Sequence, residues 1–534
     1  MVESLNERTM KQSTKFAALL GTAVFLLTAC SDHFLDQEPF NNSIQETQYF
    51  TTLDQCNTST QVCYRYIDYD AWWQTQNWRY LAGEAASDNA WIGNTYQSTH
   101  ATWDAVAHYT LDAGNDRNEG HWIMTYKSIG IFNKTMEGIA AAPIEEGPKA
   151  QFIAELKFLR AFMYFDLVRN WGGVPLVLES YPPDTHLPRS TAEEVYEQLV
   201  ADLQACAEVL PEKSEYPASD KFRASRGAAL ALLAKVYLYM ENWTGAEEAA
   251  GQVMASGEYE LEPFFGDVWE IANRNGEESI FEIQASSLET PPVPGNGYVV
   301  VMNSTADAGW GYISVSSHLE NAFKSEGDSI RLQWTINRHG LPVAGDLANP
   351  SFDGRPYTDS KSGRFSRKHY TPRAERPANN KFDRNHIILR LADVILIHAE
   401  ACAMQQKTAE ALASLQRIRE RVDLSTDGSL SGWNLIQAVR KERRLETALE
   451  GDRLYDLRRW KDQGGKPVIN SVMGPGGSFV VYNTEESTDP YETANTIEPQ
   501  NKGANFRAGV HNLWPIPNSQ IVASEGVVSQ NTGY

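Results

Sequence analysis

Two groups of rings and amides offer this chain a chemistry of recognition. Trp91, Asn94, Tyr96 and Trp103 stand close together near the N-terminal end, and Tyr298, Trp310 and Tyr312 follow much later. Indole and phenol rings cover flat apolar faces, while amides direct hydrogen bonds at a polar rim. A ligand built as a flat C–H surface edged with hydroxyls, as sugars are, suits that combination. Each ring taken singly suits a packed core as well.

Bond-breaking chemistry finds less support. His398-Ala399-Glu400 has the H-x-E spacing of zinc deaminases, but no P-C-x-x-C follows and Cys402 is the last cysteine. Both residues fall inside a helical pattern, where a packed histidine and an ion-paired glutamate are expected. H-E-x-x-H, G-x-S-x-G and Walker spacings are absent from the sequence. Gly474-Pro475-Gly476-Gly477 lacks the strand–helix context of a nucleotide cradle. A glycosidase would need two carboxylates about 5–10 Å apart, and no spacing selects a pair. No cofactor motif or C-x-x-C metal spacing occurs. Loop aspartates leave a structural calcium open, with no D-x-D-x-D-G loop to mark it.

A third chemistry is covalent. Lys11 and Lys15 precede an apolar run, Phe16 to Ala29, that ends in Leu27-Thr28-Ala29-Cys30. This order reads as a secretory signal over residues 1–29, with Met10 as the expected start, and it is shorter than a span. Its last four residues match the lipobox of bacterial lipoproteins, which makes Cys30 the expected lipid-bearing residue. Without residues 1–29 the chain keeps 44 basic and 67 acidic residues, a net charge of −23. Such a surface repels phosphate backbones and disfavours nucleic acid. Cys56 and Cys63 are spaced either to share one helix face or to close a short disulfide loop.

The elements that would hold these groups are mostly helical. A hydrophobic content of 42% is ample for a large core. After a polar tether, Ser31 to Asn42, a helix is expected over 43–68 with Thr47, Phe50, Leu53 and Asn57 on one face. Residues 70–118 hold five of the 14 tryptophans without clear periodicity, and read as an aromatic loop region. Phe152, Leu156, Leu159, Met163 and Leu167 mark a widely buried helix that stops at Gly172-Gly173 before Pro175. Another helix begins near Thr191 and ends before Pro211. Residues 222–256 and 387–422 read as two helix pairs in which small alanines face larger apolar residues, a tetratricopeptide-like pattern. Residues 260–385 read as short strands and long loops, and 462–510 as a second irregular stretch.

Four segments together resemble the SusD/RagB family of outer-membrane nutrient-binding lipoproteins. They are Phe34-Leu35-Asp36; Lys157 to Val168 followed by Trp171 to Leu176; Arg390 to Ala401 with Glu442 to Glu446 and Glu450 to Trp460; and Trp514 to Pro517 with Gln530 to Tyr534. The resemblance spans nearly the whole chain after Cys30. It implies one mainly α domain over 30–534: a scaffold of four TPR-like helix pairs and an irregular, short-strand ligand face. Within it, 30–260 and 386–534 would be helical parts and 261–385 a loop-rich insert. It also implies an outer-membrane, surface-exposed protein, without catalysis, that captures oligosaccharide and hands it to a SusC-like TonB-dependent transporter. Peptide capture by the same kind of lipoprotein is the alternative, and a surface glycoside hydrolase the more distant one. The seven aromatic and amide positions are the ligand candidates, or else surfaces packed on the transporter. Asp88 and Asn89, in Gly83 to Asn89, resemble a recurring family segment. Glu442, Arg443, Glu446, Glu450, Arg453, Asp456 and Arg458 are expected to tile a helix with i,i+3 and i,i+4 ion pairs.

Overall fold

The structure, a computed structural model, describes residues 49–534 except 69–74, 94–100, 183, 287–309, 339–361, 373–374, 376–381 and 490–501. Residues 52–534 form one unit. The tether, Cys30 and the lipobox lie outside the described residues, as do Asn94, Tyr96 and Tyr298.

The chain runs through α1 (Leu53–Cys63), α2 (Thr75–Ala85), β1 (Ala90–Ile92), α3 (Ala101–Ala107), α4 (Asp116–Ala141), α5 (Glu146–Trp171), α6 (Ala192–Val209), α7 (Arg226–Tyr239) and α8 (Trp243–Ala255). It continues with β2 (Ser279–Ile283), β3 (Ile313–Val315), α9 (Ser317–Glu326), α10 (Ser329–Thr335), β4 (Ile336–Arg338), β5 (Arg364–Ser366) and β6 (His386–Arg390). The last part holds α11 (Leu391–Met404), α12 (Thr408–Glu420), α13 (Gly432–Glu446), α14 (Arg453–Arg459), α15 (Ile469–Met473), α16 (Ser478–Val481), α17 (Lys502–Asn505) and α18 (Asn518–Ala523).

Eight of these helices pack one against the next in the order α4, α5, α6, α7, α8, α11, α12, α13. The two helix pairs read from the sequence are α7–α8 and α11–α12. Ala246, Ala249 and Ala250 are buried on α8, where their small size lets α7 approach closely. Thr191 caps α6 with a capping box to Glu194, and Leu210 ends it before Pro211. β2 to β6, with α9 and α10, are spliced between α8 and α11. Antiparallel pairing of β2 with β6, Glu282 against Ile387, closes that insert onto the helical array.

Several expectations need correction. In α1, Leu53 is exposed, and the buried residues are Cys56, Thr60 and Cys63. Thr52 caps the helix with Gln55 and so starts it later than the expected 43, and its inner face is set by Cys56, Thr60 and Cys63. Both cysteines are free thiols, aligned one above the other. Residues 70–118 carry α2 and α3 as well as β1. From Trp78 to Gly93 every residue is buried, Arg79 and Glu84 included, so the described part of α2 offers periodicity no polar face. Helices α9 and α10 within the insert, and α15 to α17 after it, were likewise unmarked.

The expected tiling of ion pairs is mostly replaced by long-range ones. The helix breaks between Glu446 and Arg453, so its charges diverge. Glu446 meets Arg331 (3.0 Å), Arg390 (2.6 Å) and Arg421, and Glu442 meets Arg331 (2.6 Å) and Arg419 (2.7 Å). Arg443 binds Asp393 and Asp456 (2.8 Å), and Glu450 binds Arg390 and Lys368, each at 2.7 Å. Among the described residues none of the expected local pairs forms; Asp456 pairs locally with Arg459 instead, at 2.8 Å. Burial opposes the charge on Glu446, but three guanidiniums hold its carboxyl well below the usual range.

Candidate ligand-binding face

The two aromatic segments of the sequence meet through a three-residue ladder. β1 pairs with β3 antiparallel, setting Trp91 opposite Ser314 and Ile92 opposite Ile313. Gly93 N–H donates to the Tyr312 carbonyl (3.1 Å), and Ser314 Oγ donates back to the Gly93 carbonyl (3.1 Å). Next to this ladder β5 packs on β3, and β5 pairs with β4 in register Asn337 to Phe365. The result is a floor of four very short strands.

Beneath the floor lies a set of saturated charges. Asp88 receives Arg453 (2.7 Å) and Arg444 (3.1 Å), and the Asn89 amide oxygen receives Arg444 (3.0 Å). Burial works against the Asp88 carboxylate, and the two guanidiniums overcome it, so its pKa is lowered. Asp88 and Asn89 are thus buried supports for the β1 turn. Lys502 is 1% exposed, and its ammonium donates to the carbonyls of Ala85 (2.5 Å), Ser87 (2.7 Å) and Ala90. The same ammonium lies 4.7 Å from the Trp91 ring centre. Trp91 also packs on Phe479 (5.5 Å) and is 3% exposed. Trp103, equally buried, packs on Trp78 (6.0 Å) under Arg117. Both indoles face inward among protein groups.

The other two described candidates sit at the end of β3. Tyr312 is 7% exposed, and burial raises its phenol pKa. Trp310 is half-buried, 6.0 Å from the Tyr312 ring and packed on Phe382. Gly311 between them has φ +65°, a left-handed turn that glycine adopts without strain. The structure therefore brings Trp91, Trp310 and Tyr312 to one ladder and leaves Trp103 in the core below.

Beyond the other end of β3 stand residues that no sequence pattern selects. Tyr482 Oη hydrogen-bonds Ser317 Oγ (2.6 Å) and accepts from Asn321 Nδ2 (2.9 Å). The His318 ring lies 4.9 Å from Tyr482 and 5.5 Å from Phe479. Its pKa falls to about 4, first through burial and then through Arg444, so at neutral pH it is an uncharged acceptor for that guanidinium (2.9 Å). Tyr482 lies in a π-turn, Tyr482–Glu486, within a stretch too short for any period.

The floor also gathers the ends of five segments that lie outside the described residues. Gly93 precedes 94–100, Trp310 follows 287–309, Arg338 and Ser362 flank 339–361, Phe382 follows 376–381, and Asp489 and Lys502 flank 490–501. Charge ties several of these ends together. Glu320 receives Arg338 (2.9 Å) and Arg364, and Arg364 reaches Asp489 (2.5 Å). Connections anchored this way on a rigid base are where proteins commonly place recognition groups.

The His398 and Glu400 pair shows no joint catalytic geometry. Glu400 is buried and takes Arg459 (2.7 Å) and the Trp460 indole N–H (2.8 Å). His398 points elsewhere and bonds Ser414 Oγ at 2.9 Å.

Comparison with known proteins adds independent findings. A family model described as SusD family matches residues 277–534, and one described as starch-binding associating with outer membrane matches residues 33–238. SusD-like protein P2 of Formosa agariphila is 26% identical over 548 residues, covering 98% of this chain and 100% of that protein. A solved laminarin-binding SusD-like protein aligns with TM-score 0.72 at 24% identity, over 91% of this chain and 100% of the other. Surface glycan-binding protein A from Bacteroides uniformis aligns with TM-score 0.71 at 21% identity, over 90% and 99%. At these identities the structural likeness shows a shared fold.

Proposed function

From the premise that this chain belongs to the SusD/RagB family, we propose that it captures oligosaccharide at the outer membrane and passes it, unreacted, to a TonB-dependent transporter. Cys30 carries the lipid anchor in this reading. One observation supports the site: the β1–β3 ladder joins both aromatic segments of the sequence. Trp310 supplies a half-buried ring and Tyr312 its backing. Tyr482 and Asn321 add hydroxyl and amide groups at the far end of β3, and Asn94, Tyr96 and Tyr298 stay candidates on their residue types. The laminarin-binding and glycan-binding names of the structural neighbours support a polymeric sugar as the class of ligand.

Calorimetric titration of the protein against a glycan panel and a peptide panel tests this. One glycan class is expected to bind and to be recovered intact. Trp310→Ala should weaken it by about five- to thirtyfold, the equivalent of about 1–2 kcal/mol for one stacking ring. Trp103→Phe should leave affinity unchanged. Hydrolysis of any bound glycan would overturn the non-catalytic reading, and binding confined to peptides would overturn the sugar reading.

A further inference from the structure

Helices α8 and α11 belong to different halves of the sequence, joined only through the long insert, yet they pack directly on each other. At this joint the side chains of Glu247, His398 and Cys402 converge, with one donor atom from each lying within 4.8 Å of the other two. His398 and Cys402 are four apart on α11, so they project from one face in successive turns. Glu247 reaches them from the first turns of α8.

We propose that Glu247, His398 and Cys402 form a binding site for a divalent transition metal of the zinc class. The donor set is a thiolate, an imidazole and a carboxylate, which zinc accepts and calcium, with its preference for oxygen, does not. Geometry agrees. A tetrahedral zinc with Zn–S of about 2.3 Å and Zn–N of about 2.0–2.1 Å separates those two ligand atoms by about 3.5 Å. Cys402 Sγ lies 3.7 Å from both His398 ring nitrogens, the right separation for Nε2, and the thiol or the ring must rotate to place an ion on the Nε2 lone pair. Nδ1 is engaged by Ser414 Oγ of α12 at 2.9 Å. That bond leaves Nε2 as the metal donor and fixes the ring from behind, the usual arrangement of a ligating histidine.

Two neighbours define what the metal must displace. Lys407 Nζ and Gln405 Nε2 both donate to Glu247 Oε2, at 2.5 and 2.6 Å. The Lys407 side chain is 41% exposed and is free to turn into solvent. Glu410, on the first turn of α12, adds negative charge that bears on both His398 and Cys402. Lys407 is the single cation among these neighbours. Binding releases the thiol proton of Cys402 to solvent, and no redox change is involved. The bound ion would clamp the joint between the two halves of the helical array.

Zinc and cobalt titrations of the reduced protein test the site. One ion per chain is expected. Cobalt should give visible d–d bands with a near-ultraviolet thiolate-to-metal charge-transfer band. Cys402→Ser should abolish the charge-transfer band, and His398→Gln should weaken zinc at least about tenfold. Lys407→Gln carries the opposite sign: by freeing Glu247 it should tighten zinc, and it alters no buried group. Absence of the thiolate band in the parent protein would overturn the proposal. So would a Lys407→Gln variant that binds no tighter, or zinc affinity that survives loss of Cys402.

Discussion

Glu84 and Glu446 are both buried glutamates, and their partners send them in opposite directions. Glu446 is surrounded by guanidiniums and stays ionised. Glu84 takes its hydrogen bonds from neutral donors, the Asn89 amide (3.0 Å) and the Gly451 N–H (2.8 Å), and burial raises its pKa to about 7. The folded protein therefore keeps a proton on Glu84 that the unfolded chain gives up near 4.5, and this part of the stability falls as pH rises from about 4.5 to 7. His318 acts in the reverse sense: its folded value is lowered, so its contribution grows as pH rises from about 4 to 6.5. The clean measurement is accordingly a difference between two proteins. Glu84→Gln should lose ground to the parent at pH 5 and regain it by pH 7.5, a relative change on the order of 3 kcal/mol in urea unfolding. A constant difference across that range would refute the assignment. None of this was legible at Gly83 to Asn89 in the sequence. Arg444, Arg453 and Gly451 converge there from hundreds of residues away, and local pattern carries no trace of such partners.

The elements differ in how plainly the sequence announced them. α5, α6, α7, α8, α11 and α12 were readable because apolar residues recur along each over several turns, and because Thr191, Gly172 and Pro211 punctuate the ends. α2 was not, since the buried Arg79 and Glu84 interrupt its apolar residues, and β1 and β3 were not, since three residues are too few for an alternation. The candidate site was half readable for the same reason: residue types flagged both aromatic segments, while the ladder that joins them is local geometry. Trp91 and Trp103 look like Trp310 in sequence and differ only in which way the fold turns them. Close approach separates glycines just as sharply. A Cβ on Gly83 of α2 would stand 2.2 Å from the Gly451 carbonyl oxygen, whereas one on Gly130 of α4 meets nothing within 4 Å. Gly83→Ala is expected to destabilise by about 1–3 kcal/mol, and Gly130→Ala to stabilise by about 0.5–1 kcal/mol. Denaturant midpoints that moved in the same direction would contradict this.

At the scale of the whole molecule, two ionic networks tie distant parts of the chain together. Through Glu446 one joins α10, β6, the end of α12 and α13, and through Arg443, Asp452 and Lys235 the other joins α13 to α5, α7, α11 and α14. Glu446→Gln keeps the shape but leaves Arg331, Arg390 and Arg421 short of a negative charge, and should cost about 3–5 kcal/mol in guanidinium unfolding. A loss below about 1 kcal/mol would mean the remaining carboxylates suffice. A second closure is made of rings and carbonyls. Asn118 Nδ2 (2.8 Å) and Trp171 Nε1 (3.1 Å) donate to the Pro515 carbonyl, Trp514 N–H donates to the Asn170 carbonyl (2.8 Å), and Trp514 stands edge-on to Trp78 (5.8 Å). Synthesis delivers Asn118 397 residues and Trp171 344 residues ahead of Pro515. A ribosome that has passed Trp171 but not yet reached Trp514 holds helices with uncovered indoles and unanswered N–H groups, the surfaces through which partly made chains stick to one another.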